Sequence, residues 1–548
     1  MRKVQLILIH IGKICFSSTV FIINRLSKSL PRTLLQNVRF ALYSLGDRAY
    51  GDQFCAAGRK LGARLLQLGA QPLCEVGYGD DGTPNGGVFY DLDVWLQESL
   101  LPAFHKREVV RPSQPVVLHR VAKRESDGEQ ESLACFDDFF DSQAPQTAYH
   151  PTWKGRVVTN KRLTDPMWEQ NTRHIVIRVE NSSNQVLYQA GDVCSVLPCN
   201  SNESVDEILQ VLPQSIRDLA DTVLNITCNS TGVIPWPKEC TLRGWLTYCA
   251  DIQALPERED LRELSHYCQD TELREKLLSL SETSASALYA DYVLREKRSW
   301  RDVLYDFDSI ALSLESLFQL LPPIRPRHFS IASASSTDTI ELCVAVVEGT
   351  TPLGRPYRGL CSSYLASCNV GEELRLWLKP GSFQLPLTIL PSTNTYETPI
   401  LCIGAGTGIA PLRSLVLERE SNRPEGSSAE CDTRLIFGSR KKTMDFYYQE
   451  EWESLEHTKR FRMLTAFSQD QWHKIYVQQL MGENKDMIVD HILKQSGAVY
   501  VAGGAKMARS VKDELVEILS EALGDARQAQ LFLKRLQKQS KYAVEAWS

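Results

Sequence analysis

The sequence predicts a multidomain protein of mixed α/β and β class, and three observations carry that prediction. Two stretches, Val38 to Phe104 and the region from about 396 to 548, alternate apolar runs of strand length with amphipathic helical runs, the pattern of parallel sheets. Between them, from about 151 to 395, strand-like runs dominate and are interrupted from about 203 to 321 by helical periodicity. The length of 548 residues exceeds the ~250–300 at which a single core stops growing, so several modules are required.

Composition narrows the classes of function. Hydrophobic residues make up 43% and charged residues 23%, ordinary values that permit large cores and exclude wholesale disorder. A net charge of −6 argues against nonspecific nucleic-acid binding and favours proteins or small molecules as partners. The 15 cysteines are scattered, with no pair at zinc or iron–sulfur spacing. Reduced thiols in the cytoplasm, and no metal site, are the expectation.

Residues 1 to 37 form an atypical N-terminal segment. The apolar runs Val4–Ile9 and Ile14–Ile23 suggest a leader or anchor, but Lys13 lies between them, where a charge costs ~2.5–3.5 kcal/mol on insertion scales. No small-residue cleavage site is evident, and a membrane is not the expected partner.

From 38 to 104 the order reads strand, helix, strand, helix: Val38–Leu45, about Cys55–Leu68, Pro72–Tyr78 and Val88–Phe104. The loop after the first strand, running from Leu45-Gly46-Asp47-Arg48-Ala49 through Tyr50-Gly51-Asp52-Gln53-Phe54, falls where open parallel sheets bind ligands. Tyr50 can stack on a planar ring or serve only in packing. Two strands fall short of the five such a sheet ordinarily has. Residues 105 to 150 mix Pro, Ser, Gln and charge, and read as a linker.

The β-rich region opens with strands at Gly155–Val158, His174–Val179 and Asp192–Leu197. After the helical insert, which includes Glu272–Leu280 and Ser309–Leu320, it resumes at Arg327-His328-Phe329-Ser330 and the long strand Ile340–Val347. Arg327 can pair with a phosphate, Phe329 can lie against a flat ring, and the Ser330 hydroxyl can approach a reactive nitrogen. Gly359-Leu360-Cys361-Ser362 leads into a helix and can seat an anion. Taken singly, both segments also suit ordinary sheet and capping roles.

In the last region the apolar run Leu401-Cys402-Ile403 enters Gly404-Ala405-Gly406-Thr407-Gly408, and Ile409-Ala410-Pro411 opens a helix. Such a strand–turn–helix brings backbone N–H groups and a positive helix end to a phosphate. Strands at Thr433–Phe437, Phe461–Phe467 and Gly497–Gly504, with helices at Phe446–Leu455 and Met507–Leu519, predict a doubly wound sheet. Arg440, Lys441 and Lys442 follow one strand, and Lys474-Ile475-Tyr476-Val477-Gln478 places an ammonium, a ring and an amide close together, suited to adenine, ribose and a 2′-phosphate.

The motifs Arg-x-Phe-Ser at 327–330, Gly-Leu-Cys-Ser-Ser at 359–363, Gly-x-Gly-Thr-Gly-x-Ala-Pro at 404–411, Lys-x-Tyr-x-Gln at 474–478 and the ending Glu545-x-Trp547 occur in the order found in one family. From about Lys154 onward the chain resembles the FAD/NADPH half of the diflavin reductases, with a weaker match from Val38 to Phe104. Within that family it is most similar to the NADPH-dependent branch serving cytosolic iron–sulfur protein assembly, with the cytochrome reductases next. The resemblance implies a partial flavodoxin-like α/β domain at 38–104 and, at 151–395, an FAD-binding antiparallel β-barrel with a helical insert. It implies a doubly wound NADPH-binding domain at 396–548, and an iron–sulfur protein as electron acceptor.

By the same resemblance Arg327, His328, Phe329 and Ser330 contact the flavin and its phosphate, while Gly359, Leu360, Cys361 and Ser362 hold the FAD pyrophosphate. Thr407 sits by the NADPH phosphates, and Ser468, Gln469, Lys474, Ile475, Tyr476, Val477 and Gln478 hold the adenosine end. Trp547 covers the flavin, with Glu545 behind it and Ser330 assisting hydride transfer. Leu45 to Phe54 and Asp81 match FMN-side positions. Three departures stand out. Ala502 replaces the Cys of the cytochrome-reductase branch, and Gln469 stands where the family usually has Arg, which weakens one 2′-phosphate contact. The flavodoxin-like half also lacks the first strands and the Ser/Thr-Gly loop that seat FMN, which predicts weak FMN retention. Two other functions compete: an impaired form that binds acceptor or NADPH and modulates the full-length reductase, and a membrane-anchored cytochrome-type reductase.

Overall fold

A computed structural model describes residues 33–36, 38–46, 48, 54–80, 83, 87–103, 119–123, 153–180, 188–228, 236–282, 285–335, 339–386, 388–389, 394–395, 398–423 and 432–547. The N-terminal strand expected over Val38–Leu45 is two short pieces, β1 (Arg39–Phe40) and β2 (Tyr43–Gly46). They run parallel to β3 (Gln71–Pro72) and β4 (Gly77–Asp80), with the helix Ala56–Gln67 as crossover. Leu73 N–H donates to Phe40 O and Gly77 N–H to Leu42 O, so the four pieces form one interrupted parallel pair. The continuous strand expected at Pro72–Tyr78 is therefore broken. The reason is Trp95, whose indole N–H draws the Glu75 carbonyl out of the ladder at 2.8 Å. Trp95 comes from the helix Gly87–Trp95, which continues as a wide π turn over Leu96–Leu100, and it packs on Tyr43 at 5.2 Å between ring centres.

The stretch read as a linker contains β5 (His119–Lys123). The antiparallel series then begins with β6 (Trp153–Arg162), β7 (Thr172–Glu180) and β8 (Val193–Leu197). Helices follow between Asn202 and Leu320, together with β9 (Val223–Cys228) and β10 (Glu239–Thr241), so the insert is not wholly helical. β9 pairs with β10 on one side and with β5 on the other, which makes part of the expected linker a strand of this module. Its core is aromatic: Trp245 stacks on Phe318 at 3.9 Å and meets Trp236 edge-on at 5.2 Å. The helix expected from Ser309 begins at Leu314, because the Ser313 hydroxyl accepts from Ser316 N–H and caps it.

The antiparallel series resumes with β11 (Arg327–Ser330) and β12 (Thr339–Ala345), then the hairpin β13 (Glu348–Thr350) and β14 (Pro356–Arg358), and β15 (Glu373–Lys379). The sheet order is β11-β8-β15-β6-β7-β12, antiparallel throughout. One isolated bridge, Ile331 to Leu342, connects the two edge segments, so the expected barrel is a six-stranded sheet whose margins meet at a single pair. β16 (Thr388–Ile389) and β17 (Asn394–Thr395) form a separate small pair.

The last unit is a parallel sheet of β18 (Ile400–Ala405), β19 (Thr433–Ser439), β20 (Phe461–Phe467), β21 (Ala498–Gly504) and β22 (Tyr542–Trp547) in the order β20-β19-β18-β21-β22. Strand periodicity sends Ile400, Cys402, Ala498 and Tyr500 into one core and Leu401, Ile403, Val499 and Val501 into the other. Both faces are thus buried, as the near-continuous apolar runs require of a parallel sheet. The helix Ile409–Ser421 covers one face and Ala505–Leu523 the other, which makes the sheet doubly wound.

A buried ionic network joins this sheet to the antiparallel one. Arg413 donates to Glu341 Oε2 at 2.6 Å, to Glu451 Oε2 at 2.8 Å and to the Ala332 carbonyl at 2.8 Å, with its guanidinium 4.5 Å from the Tyr448 ring centre. Tyr500 donates to Gln384 O and Ser414 to Ser333 O, both at 2.6 Å. The two sheets are held in a defined relation, and the functional site uses it. Among the described residues no helix is long and apolar enough to cross a membrane.

Candidate functional site

The carboxyl ends of β18, β19, β20 and β21 open on a cavity of about 570 Å³ lined by Ala405–Thr407, Gly438–Arg440, Ser468 and Gly504. Doubly wound sheets bind ligands at this end, where the strand order reverses, here between β18 and β21. The turn after β18 explains its glycines. Gly406 has φ +57° and nothing within 4 Å of where a Cβ would project, while a Cβ on Gly408 would stand 2.1 Å from the Ala502 carbonyl oxygen. One glycine shapes the turn toward the cavity and the other lets it pack on β21. The Ser439 hydroxyl, on the cavity wall, is buried without a hydrogen-bond partner among the described residues. An open turn at a helix start and an unpaired donor suit a pyrophosphate nucleotide.

Of the residues expected at the adenosine end, Ser468, Ile475, Tyr476, Val477 and Gln478 line this cavity with Thr407. Val477 is buried in the core, so its part is packing. Gln469 and Lys474 are exposed and do not line it; the Gln469 N–H donates to Arg440 O at 2.8 Å. Two basic side chains also line it: Arg440, one of the basic residues the sequence places after a strand, and Lys506, which the sequence did not single out. Arg440 lies 4.7 Å over the Trp168 ring and pairs with Asp445 and Glu169, so its charge is largely committed. Lys506 and Ser510 come from the first turns of the helix after β21. Their only sequence signal is their position behind the Gly503-Gly504 turn.

A second group of residues lies on the antiparallel sheet. Arg327 pairs with Asp251 at 3.1 Å, and the other Asp251 oxygen is buried without a partner among the described residues. His328 shares a hydrogen bond with Ser195 at 2.7 Å and lies 3.5 Å from Lys379. Burial, then the Lys379 and Arg327 charges, lower its pKa to about 4, so it is neutral at physiological pH. Phe329 packs half-buried against the core of this sheet.

Gly359 caps the helix Leu360–Ser367, with Leu360 and Cys361 buried. Burial pushes the Cys361 thiol up to about 12, leaving it uncharged. The Ser362 hydroxyl accepts from Val347 N–H at 3.0 Å and is used internally. The hydroxyl left without a described partner is that of Ser363, one residue beyond the expected set. A helix start with a spare buried hydroxyl and a nearby arginine suits the phosphates of a flavin dinucleotide.

The two groups meet through the last strand. Register places Glu545 beside Ala502 and Trp547 beside Gly504. Glu545 reaches the antiparallel sheet, where its Oε2 accepts from Ser330 at 3.2 Å and its Oε1 accepts from Ser382 N–H at 3.2 Å and Ser382 Oγ at 2.8 Å. Burial raises its pKa, and the Ser382 and Ser330 hydrogen bonds oppose that rise. Trp547 remains 36% exposed.

At the N-terminal pair, Leu45 and Gly46 end β2 as expected. Arg48 is turned to Asp80, by its N–H at 2.9 Å and its Nε at 3.1 Å, and lies 5.0 Å from the Phe54 ring centre. Phe54 in turn approaches Tyr78. Asp47, Ala49, Tyr50, Gly51, Asp52, Gln53 and Asp81 lie outside the described residues. The described positions therefore show a strand end with an aromatic residue close by, a partial match to what a flavin ring requires.

Three family models match in order: flavodoxin over residues 19–95, an FAD binding domain over 145–364 and an oxidoreductase NAD-binding domain over 402–513. Together they support FMN, FAD and NADPH as the cofactors. Similar relatives include NADPH-dependent diflavin oxidoreductase 1 of Danio rerio, 33% identical over 95% of this chain and 87% of the relative. The protein of the same name from Mus musculus is also 33% identical with the same coverage, and that of Schizosaccharomyces pombe is 29% identical.

Proposed function

Because the chain belongs to the NADPH-dependent diflavin oxidoreductase family, which moves electrons from NADPH through FAD to FMN, we propose an iron–sulfur protein of the cytoplasm as its final acceptor. The eleven cysteines whose side chains are described are free, which supports a reducing compartment. The observation carrying the flavoenzyme part of this reading is the junction of Glu545 with Ser330, which ties the nucleotide sheet to the flavin sheet.

When bound, nicotinamide supplies a hydride and the flavins divide the electron pair into single electrons. The chain's part is to bind and align. The N–H groups of the Gly406–Gly408 turn and Thr407 hold the dinucleotide phosphates, and Ser468, Tyr476 and Gln478 receive the adenosine end. Arg327 and the helix start at Gly359–Ser363 hold the FAD phosphates, with Phe329 against the ring. Ser330, whose proton is committed to Glu545, would turn its oxygen toward the bound flavin. Trp547 would have to give up its place for nicotinamide to reach the flavin. Such alignment lowers the barrier through proximity and orientation.

The test is to purify the chain, measure its flavins and follow NADPH-dependent reduction of ferricyanide, cytochrome c and a [2Fe–2S] protein. Bound FAD with ferricyanide reduction and bleaching of the iron–sulfur chromophore is the expected result. Absence of FAD and of ferricyanide turnover overturns the flavoenzyme reading; turnover without cluster reduction overturns the acceptor.

A further inference from the structure

We infer that Ser382 is a positioning residue for hydride transfer: it grips one oxygen of Glu545 through both its N–H and its hydroxyl, and so aims the other oxygen at Ser330. The inference rests on the role proposed above for Ser330 and Glu545. A carboxylate held at one oxygen only can swing about its terminal torsion, which is broad and nearly twofold. Two donors on Oε1, at 3.2 Å and 2.8 Å, leave Oε2 in one place, 3.2 Å from Ser330 Oγ.

The turn carrying Ser382 is itself held from two sides. Asp192 accepts from Gly381 N–H at 3.0 Å through Oδ1 and from Gln189 N–H at 2.8 Å through Oδ2, while its backbone carbonyl accepts from Ile331 N–H at 3.0 Å. The next residue, Val193, pairs with Ser330 in β11 and with Lys379 in β15. One point of the chain thus sets both hydroxyls. On the far side, Phe383 packs edge-on against Tyr500 at 5.3 Å, and Tyr500 lies two residues before Ala502, the register partner of Glu545. The turn and the carboxylate therefore refer to the same strand. Ser382 is exposed, so its hydroxyl can be replaced by water in part, and a several-fold effect is expected rather than loss of activity.

Charged groups on the adjoining strands are engaged elsewhere: Arg327 on Asp251 at 3.1 Å, and His328 on Ser195 with Lys379 beside it. Burial and the two serines are what set the carboxyl's ionisation, and removing one hydroxyl raises it further.

The experiment compares Ser382→Ala, Ser382→Thr, Ser330→Ala and Glu545→Gln in the full flavoprotein, by stopped-flow reduction with NADPH and with NADPH deuterated at the transferred position. Ser382→Ala should slow hydride transfer about 3- to 10-fold, in line with partial loss of a charge-assisted hydrogen bond. KM for NADPH should stay within about twofold, and the acid limb of the pH profile should move to higher pH. Ser382→Thr should restore both. Without nucleotide or turnover, hydrogen exchange of residues 542–547 should quicken in Ser382→Ala alone of the two Ser382 variants. An unchanged rate, pH limb and exchange in Ser382→Ala, beside slowed Ser330→Ala and Glu545→Gln, overturns the inference. If Ser330→Ala and Glu545→Gln are also unimpaired, the role given to that pair fails instead.

Discussion

The C-terminal parallel sheet and the N-terminal parallel pair follow the same strand–helix–strand rule, and among the described residues it is the first whose strand ends line a cavity. β18 has a parallel neighbour on each side, so the turn after it opens into a crevice walled by the ends of four strands. β2 pairs with β4, and of the described residues beyond its end Arg48 reaches Asp80 and lies beside Phe54. A nucleotide crevice is a property of neighbouring strands, and a Gly-rich turn acquires its function from them.

Substitutions that separate the two regions test this view. The largest effect on turnover is expected from Gly408→Val, whose Cβ would stand 2.1 Å from the Ala502 carbonyl. NADPH oxidation should fall at least ~100-fold, about 2.7 kcal/mol in the barrier, in a steady-state ferricyanide assay. Next comes Arg413→Ala, which strands Glu341 and Glu451 at the seam between the sheets; denaturant melts should show a loss of ~3–5 kcal/mol. Trp95→Ala should cost the N-terminal pair a comparable ~3–5 kcal/mol of local stability, seen as FMN release and faster proteolysis there. Ferricyanide reduction should be unaffected, and a parallel loss would show that the two regions are not independent.

A smaller effect follows from pH. His491 is fully buried, and burial, with the Arg434 charge adding, lowers its pKa to about 4 despite its bond to the Ala498 carbonyl. The unfolded chain takes up the proton near pH 6.5 and the folded chain only near 4, so stability is full above 6.5 and falls as pH drops through that window. Thermal melts of the C-terminal unit should lose about 2–3 kcal/mol by pH 4, and His491→Gln should flatten that limb. The smallest change is Lys506→Ala, which should raise KM for NADPH about tenfold, ~1.4 kcal/mol, with kcat little changed. Flavin analysis after gel filtration bears on the same contrast: full FAD with substoichiometric FMN is expected.

Much of this was legible because it is local. The strand Phe461–Phe467 appears with the boundaries that its apolar run predicts, and the strand–turn–helix at Ile400–Ser421 follows from its glycines and the apolar run ahead of them. Other features depend on partners distant in sequence. β5 has one buried apolar residue, Val121, and becomes a strand only because β9 presents an edge to it. Lys506 and Ser382 lie in an ordinary helix start and an ordinary turn, and neither carries a pattern that singles it out. Ser362 and Ser363 both fall in one motif, yet the Ser362 hydroxyl is consumed by Val347 N–H, and it is the Ser363 hydroxyl that has no partner among the described residues.

The sequence by itself determined the classes of structure and the chemistry on offer. Apolar period set which runs become strands and which helices, and glycine spacing set where the backbone can turn toward a phosphate. Only the tertiary structure decided which groups meet. Ser330 and Glu545 are 215 residues apart and lie in different sheets, and they meet because the Arg413 network and the Tyr500 contact fix one sheet on the other. Such encounters follow from packing of buried faces, which fixes distances in space that no spacing along the chain encodes.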